Sequence, residues 1–186
     1  MIKNLHIPLL GFAAYSGTGK TTLLEQLIPL LSQIDIKIGV IKHAHHNFDI
    51  DFPGKDSFRL RNAGATETLV ASDQRWALVH EHKTAQTDPE LQALITHLDT
   101  NKLDLILVEG FKHENFPRIE LHRKELDKPC LYPDDSNIIA VASNVILPVP
   151  QEITLLDINN PRAICHFILQ NFLSKHPGSN YFRANI

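Results

Sequence analysis

Cysteine is scarce: 186 residues contain two, Cys130 and Cys165. They lie far apart and form no Cys-x-x-Cys pattern, which excludes a zinc ribbon or a redox dithiol motif. A reduced, cytoplasmic protein is the simplest reading. Long hydrophobic runs are also missing. No apolar stretch reaches the roughly 20 residues that a membrane-spanning helix needs, so no membrane association is expected. The short apolar stretch near the start runs straight into a glycine-rich motif rather than a small-residue cleavage site, and it reads as a strand. Nor is there an excess of positive charge. Lys and Arg number 18 against 21 Asp and Glu, a formal net charge of -3. A phosphate-tracking nucleic-acid binder is normally basic, so nucleic acid is not an expected partner.

What is present is ordinary globular composition, 43% hydrophobic and 21% charged. That suits one compact domain, expected over residues 1–176 with a tail at 177–186. Apolar runs at 7–14, 36–41, 105–108 and 138–142 read as strands, most of them covered on both faces. A shorter strand is expected at 153–156. The alternation over 119–122 suggests an edge strand, and 67–71 with 76–79 form a short strand pair. Helical spacing marks 21–32, interrupted by Pro29, and 161–173. A short helix follows Asp56 and closes at Gly64, and another starts at Thr87 or Asp88. Strands alternating with helices predict an α/β fold, a P-loop NTPase-like three-layer arrangement with a mostly parallel sheet flanked by helices.

The strongest chemical signal lies between the first strand and the first helix. Ala14-Tyr15-Ser16-Gly17-Thr18-Gly19-Lys20-Thr21 fits the phosphate-loop pattern of Gly, four residues, then Gly-Lys-Ser/Thr, except that Ala14 replaces the first glycine. Gly17 and Gly19 let successive amides turn inward toward phosphate oxygens. The helix N-terminus adds partial positive charge. Lys20 is placed to reach the β- and γ-phosphates, and the Thr21 hydroxyl to bind Mg²⁺. Hydrolysis at such a loop is an in-line attack of water on the γ-phosphate. No arginine finger or water-orienting glutamine is evident, which predicts slow or partner-triggered turnover.

An acidic partner is expected on a neighbouring strand. In Leu103-Asp104-Leu105-Ile106-Leu107-Val108-Glu109 the second carboxylate sits at the carboxyl end, where open α/β sheets bind ligands. Glu109 is therefore assigned to the metal or its water shell, and Asp104 to the start of the strand. Three histidines and two aspartates crowd His43-Ala44-His45-His46-Asn47-Phe48-Asp49-Ile50-Asp51. This segment reads either as a loop facing the nucleotide, with Asp49 or Asp51 holding Mg²⁺ through water or orienting the attacking water, or as a solvated loop, or as a transition-metal site. Asn101-Lys102-Leu103-Asp104 resembles a guanine-reading motif but stands before the acidic strand, the wrong context. Asn144, directly after a buried strand, is the better-placed candidate for the base edge. Arg59, Arg61 and Arg75 are further candidates for phosphate contact.

Taken together these segments resemble the MobB family of molybdopterin-guanine dinucleotide biosynthesis adapter proteins. The resemblance rests on Ser16-Gly17-Thr18-Gly19-Lys20-Thr21-Thr22-Leu23, Gly39-Val40-Ile41-Lys42-His43-Ala44-His45-His46, Asp49-Ile50-Asp51, and Pro53-Gly54-Lys55-Asp56-Ser57. It continues through Arg61-Asn62-Ala63-Gly64-Ala65, Arg75-Trp76-Ala77-Leu78, Val108-Glu109-Gly110-Phe111-Lys112 and Pro117-Arg118-Ile119-Glu120. It implies a GTP-binding adapter with weak GTPase activity and a homodimer. It also implies a partner, the guanylyltransferase MobA, which attaches GMP to molybdopterin. Carried onto this chain, Ser16 to Thr22 would bind phosphates, Thr21 and Glu109 would serve Mg²⁺, and the loop from His43 to Asp56 would face nucleotide or partner. A small-molecule kinase with Glu109 or Asp51 as base, and a metal-delivery GTPase with His43, His45 and His46 as ligands, are the alternatives that the same phosphate loop allows.

Overall fold

The structure is a computed structural model that describes residues 6–44, 48–82 and 89–176. The expected starts of a helix at Thr87 or Asp88, the histidines His45 and His46, and the tail at 177–186 lie outside those residues. The chain divides into two compact units, Met1–His43 with Leu91–Ile186, and Ala44–Glu90.

The larger unit is built on a six-stranded sheet. Its strands are β1 (Leu9–Ala13), β2 (Ile38–Lys42), β5 (Leu105–Glu109), β6 (Arg118–His122), β7 (Ile138–Ser143) and β8 (Thr154–Asp157). The order across the sheet is β2-β5-β1-β6-β7-β8, and every pairing is parallel. Parallel strands require crossovers, and helices supply them. The helices here are α1 (Lys20–Ser32), α3 (Leu91–Ile95) and α4 (Pro161–Phe167). Asn160 caps α4 by accepting from the Ala163 amide at 3.1 Å. Beyond α4 the same coil continues as a π turn over Ile168–Phe172 and a 3-10 turn over Leu173–Lys175.

Strand alternation sends side chains to two cores. Leu10, Phe12, Leu105, Leu107, Ile119 and Leu121 pack under Leu23, Leu27 and Leu31 of α1 and Ile164 and Phe167 of α4. On the other face Leu9, Ile41, Ile106 and Val108 meet Leu91 and Ile95 of α3, with Phe111 and Phe116. The three layers follow from period-two burial in strands covered on both sides.

The strand expected at an edge is interior. β6 pairs with β1 on one side and β7 on the other. Its alternating pattern comes from a polar face that is buried rather than solvated. Arg118 is 3% exposed and Glu120 1% exposed. Arg118 pairs with Asp135 at 2.9 Å and donates to the carbonyls of Phe111, at 3.0 Å, and Glu114. The Glu120 carboxylate accepts the amides of Leu131 at 2.7 Å and Tyr132 at 2.8 Å. Loop backbone thus satisfies this face, and burial without a helix above it becomes affordable. A pairing of this strand with a second molecule across a two-fold axis is ruled out, because both of its edges are taken. The exposed edge strands are β2 and β8.

The smaller unit holds α2 (Asp56–Asn62) and an antiparallel pair, β3 (Glu67–Ala71) and β4 (Trp76–His80). Lys55 rather than Asp56 caps α2, whose first residue is Asp56. Gly64 follows the helix at φ 111, the left-handed conformation that ends many helices. Arg61 ties the unit together, bonded to Asp49 at 2.5 Å and Glu81 at 2.7 Å.

Candidate nucleotide site

The phosphate loop leaves β1 at the centre of the sheet, between β5 and β6. This is the position where successive crossovers leave in opposite directions and a crevice opens at the carboxyl ends of the strands. Gly17 and Gly19 adopt φ of 83 and 94, which glycine reaches without Cβ strain. The Thr18 side chain, 2% exposed, donates its hydroxyl to the Tyr15 carbonyl at 2.8 Å and closes the turn from inside. Gly19 is the cap of α1 and, lacking a side chain, gives that helix no side-chain cap. The amides that open a 13-residue helix without a side-chain cap are suited to an anion. Ser16, Thr21 and Thr22 are exposed around it.

Lys20, at the first position of α1, reaches Glu109 at 3.4 Å. Glu109 ends β5 and is 17% exposed at its side chain. Lys42, the last residue of β2, meets the other Glu109 oxygen at 3.5 Å. Two strands and a helix therefore deliver two ammonium groups and one carboxylate to one place, a local excess of one positive charge. An anion arriving here would compete with Glu109 for Lys20. The turn after Glu109 is closely fitted. Gly110 has φ 95, and a Cβ there would stand 2.6 Å from the His43 Cβ. The His43 amide donates to the Glu109 carbonyl at 2.8 Å, and its ring stacks on Phe111 with centroids 4.9 Å apart.

On the other side of the loop a cavity of about 310 Å³ is lined by Gly17, Thr18, Gly19, Thr22 and Arg123, among others. Arg123 follows β6 directly. Its Nε donates to the Thr18 carbonyl at 3.1 Å and its Nη2 to Asn159 at 3.1 Å. It braces the phosphate loop from the β6 side. Neither Arg123 nor the Lys42–Glu109 contact is assigned by the sequence reading. Both were signalled by position, since each is a basic residue at the carboxyl end of a strand adjoining the loop or one strand beyond it.

Asn144 stands where expected, just past β7. Its side-chain oxygen accepts the Lys124 amide at 3.1 Å, and its amide nitrogen contacts both Glu125 oxygens at 2.7 Å. The Glu125 carboxyl lies below its ordinary range, held there by its own backbone amide first and then by Asn144. Leu126, the next residue, lies 3.9 Å from where a Gly17 Cβ would be, so this clasp borders the phosphate loop. Asp104 lies at the opposite end of the sheet, accepting the Lys37 amide at 2.8 Å. Lys102 pairs with Asp99 at 2.7 Å. The Asn101-Lys102-Leu103-Asp104 run is thus spent at the amino end of β5.

Asp49 and Asp51 belong to the smaller unit. Asp49 is bonded to Arg61, and Asp51 accepts the Phe52 amide at 2.9 Å. The Ser57 hydroxyl, followed by the Phe52 amide and the charges of Arg61 and Lys55, holds the Asp51 carboxyl below its usual range. Arg59 pairs with Asp56 at 3.4 Å on the surface. The Arg75 backbone closes the turn before β4, where its amide bonds the Ser72 hydroxyl at 3.2 Å. Among the described residues no helix is long and apolar enough to cross a membrane.

Comparison with known proteins agrees with this architecture. The family model described as molybdopterin guanine dinucleotide synthesis protein B matches residues 9–144. A molybdopterin-guanine dinucleotide biosynthesis adapter protein of Escherichia coli (strain K12) is 52% identical over 165 residues, 88% of this chain and 93% of its own length. One from Haemophilus influenzae is 46% identical over 176 residues, 95% of each chain. A crystal structure of molybdopterin-guanine biosynthesis protein B superposes with a TM-score of 0.68 over 90% of this chain and 99% of its own, at 22% identity, a likeness of fold. With a phosphate loop in the right structural setting and a family match across most of its length, the chain belongs to the MobB family of molybdopterin guanine dinucleotide synthesis proteins.

Proposed function

We propose that this adapter of molybdopterin-guanine dinucleotide biosynthesis binds GTP with Mg²⁺ at the loop from Ser16 to Thr22, hydrolyses it slowly, and assists the guanylyltransferase MobA as a homodimer. The carrying observation is the convergence of Lys20 and Lys42 on Glu109 beside the uncapped start of α1. Such a site suits a polyphosphate, with Lys20 and the amides of Gly17, Thr18 and Gly19 as its donors. The donor set also fits a hard cation. The Thr21 hydroxyl and the Glu109 carboxylate are oxygen ligands of the kind Mg²⁺ takes, with water in the remaining positions. Bound there, the cation would neutralise charge on the phosphates. Lys20 and the loop amides hold the triphosphate and offset charge that develops on the γ-phosphoryl oxygens.

Guanine preference is supported by the Asn144–Glu125 clasp. Guanine presents an N1–H and an exocyclic amino group, and by displacing the Asn144 amide it would give both to the Glu125 carboxylate, whereas adenine offers an acceptor at N1. Slow turnover is supported by the arrangement of Arg123, which bonds backbone and Asn159 rather than standing free. The dimer is supported by the smaller unit, whose hairpin leaves Leu69 63% and Trp76 65% exposed, alongside Val70 and Leu78. Clustered large apolar side chains of this kind mark interaction surfaces.

Calorimetric titration with GTP and ATP, with and without Mg²⁺, tests the reading. GTP binding that strengthens with Mg²⁺, and is abolished in Lys20→Ala, is the expected result. Unchanged binding in Lys20→Ala overturns the phosphate assignment, and an ATP preference overturns the guanine assignment.

A further inference from the structure

The buried polar face of β6 carries a second chemical cluster, on the far side of β1 from Glu109. Glu120 and His122 are two residues apart on one strand, so their side chains leave the same face of the sheet. Ile119 and Leu121 fill the core on the opposite face. After β6 the chain makes a 3-10 turn over Lys124–Leu126 and returns, bringing the Cys130 Sγ to 3.8 Å from the His122 Nδ1. One ligand atom each from Glu120, His122 and Cys130 lies within 4.8 Å of the other two.

The spacing matches a metal better than it matches a hydrogen bond. A thiol is a weak donor and a weak acceptor. Two atoms held by one tetrahedral cation, at the usual sulfur and nitrogen bond lengths, stand about 3.6 Å apart. The Glu120 carboxylate is already oriented by the amides of Leu131 and Tyr132, one on each oxygen. Each oxygen keeps a further lone pair, and such bonds are what outer-shell groups supply to a ligating carboxylate. The donor set is thiolate, imidazole and carboxylate. That combination selects zinc-class cations over Mg²⁺ or Ca²⁺, which take oxygen ligands alone. Cys165, the other cysteine, belongs to the core on the opposite face of the sheet and is no disulfide partner.

We propose that Glu120, His122 and Cys130 form a binding site for one divalent transition cation of the zinc class, separate from the nucleotide site. Three protein ligands leave the fourth tetrahedral position open. Because His122 and Cys130 are only half-buried, that position faces the accessible side, where water or an external ligand completes the set. Bound metal also pins the returning loop to β6.

Cobalt reports on this site without reference to nucleotide. The full-length, metal-free protein is titrated with Co²⁺ and followed by absorption. The expected result is a thiolate-to-cobalt charge-transfer band with tetrahedral d–d bands, saturating at one equivalent and displaced by Zn²⁺. Cys130→Ser should lose the charge-transfer band, His122→Ala should fail to saturate at one equivalent, and Cys165→Ser and Lys20→Ala should both keep the full spectrum. Zn²⁺ should also slow alkylation of Cys130 in the unmodified protein. Absence of the band, its survival in Cys130→Ser, its loss in Cys165→Ser, or alkylation unaffected by Zn²⁺ overturns the proposal. Glu120→Gln is the less informative variant, because Glu120 also holds the amides of Leu131 and Tyr132.

Discussion

Strands β5 and β6 flank β1 on its two sides, and both are buried, but they are buried by different means. β5 is Leu-Ile-Leu-Val-Glu, with apolar side chains on both faces and a single charge at its carboxyl end. Helices and apolar loops cover it, and the hydrophobic effect alone accounts for its burial. β6 is Arg-Ile-Glu-Leu-His, apolar toward α1 and α4 and charged on the other face. That face is closed by backbone. Arg118 gathers carbonyls of the loop before β6, and Glu120 gathers amides of the loop after it. Burial pushes the Glu120 carboxyl up, against the two amide bonds that pull it down. The comparison teaches that alternation in a sequence reports which residues share a face, not whether that face is wet.

The largest expected effect tests the polar burial of β6. Arg118→Ala strands Asp135 and several carbonyls and removes the guanidinium stacked 4.4 Å over Phe116. Breaking a buried pair from one side costs about 3–5 kcal/mol, and urea unfolding should show it. A loss below about 1 kcal/mol would mean that water replaces the guanidinium and that β6 is not closed in the way described. Gly110→Ala comes next, at about 2 kcal/mol, because the added Cβ is strained at positive φ and meets His43. It should also weaken nucleotide binding through Glu109, whereas a stable variant with intact binding would show the turn to be pliable. Ile106→Val on β5 removes one methylene from a fully buried site and should cost about 1 kcal/mol. A much larger loss would place more of the stability on β5 than packing alone explains.

The smallest effect is one of pH. Burial raises the Asp135 carboxyl, but the Asn137 bonds and Arg118 outweigh it, and its net position is below the ordinary value. A depressed carboxylate contributes stability above its unfolded pKa of about 3.9 and loses it as pH falls through the folded value. Asp135→Asn should therefore be about 1 kcal/mol less stable at neutral pH, and the gap should close below about pH 4. A gap that persists in acid would assign the loss to packing rather than to charge.

Much of the larger unit was legible. The run Leu9–Ala13, the glycine turn and the apolar spacing of α1 are local signals, and each element formed where its own residues favour it. Glu109 was legible because it is the only charge on an otherwise apolar strand and sits at the carboxyl end. The helix expected at 161–173 exists as a coil, but its second half widens into a π turn, which no side-chain periodicity specifies. The place of β6 was not legible at all. Its polar residues find partners in loops 4 to 17 residues away in sequence, and no hydrophobic period announces them.

By itself, then, the sequence determined the phosphate loop, the strand–helix alternation and the acidic end of β5. Each depends on backbone geometry and hydrophobic period within a dozen residues. Only the tertiary structure decided that Lys42 shares Glu109 with Lys20, that Arg123 braces Thr18, and that Glu120, His122 and Cys130 meet. The first two depend on strand order, and the third on the loop after β6 that returns Cys130 to His122. A parallel sheet places side by side strands that are far apart in the chain, and which residues meet at their ends is set by the crossovers rather than by any local preference.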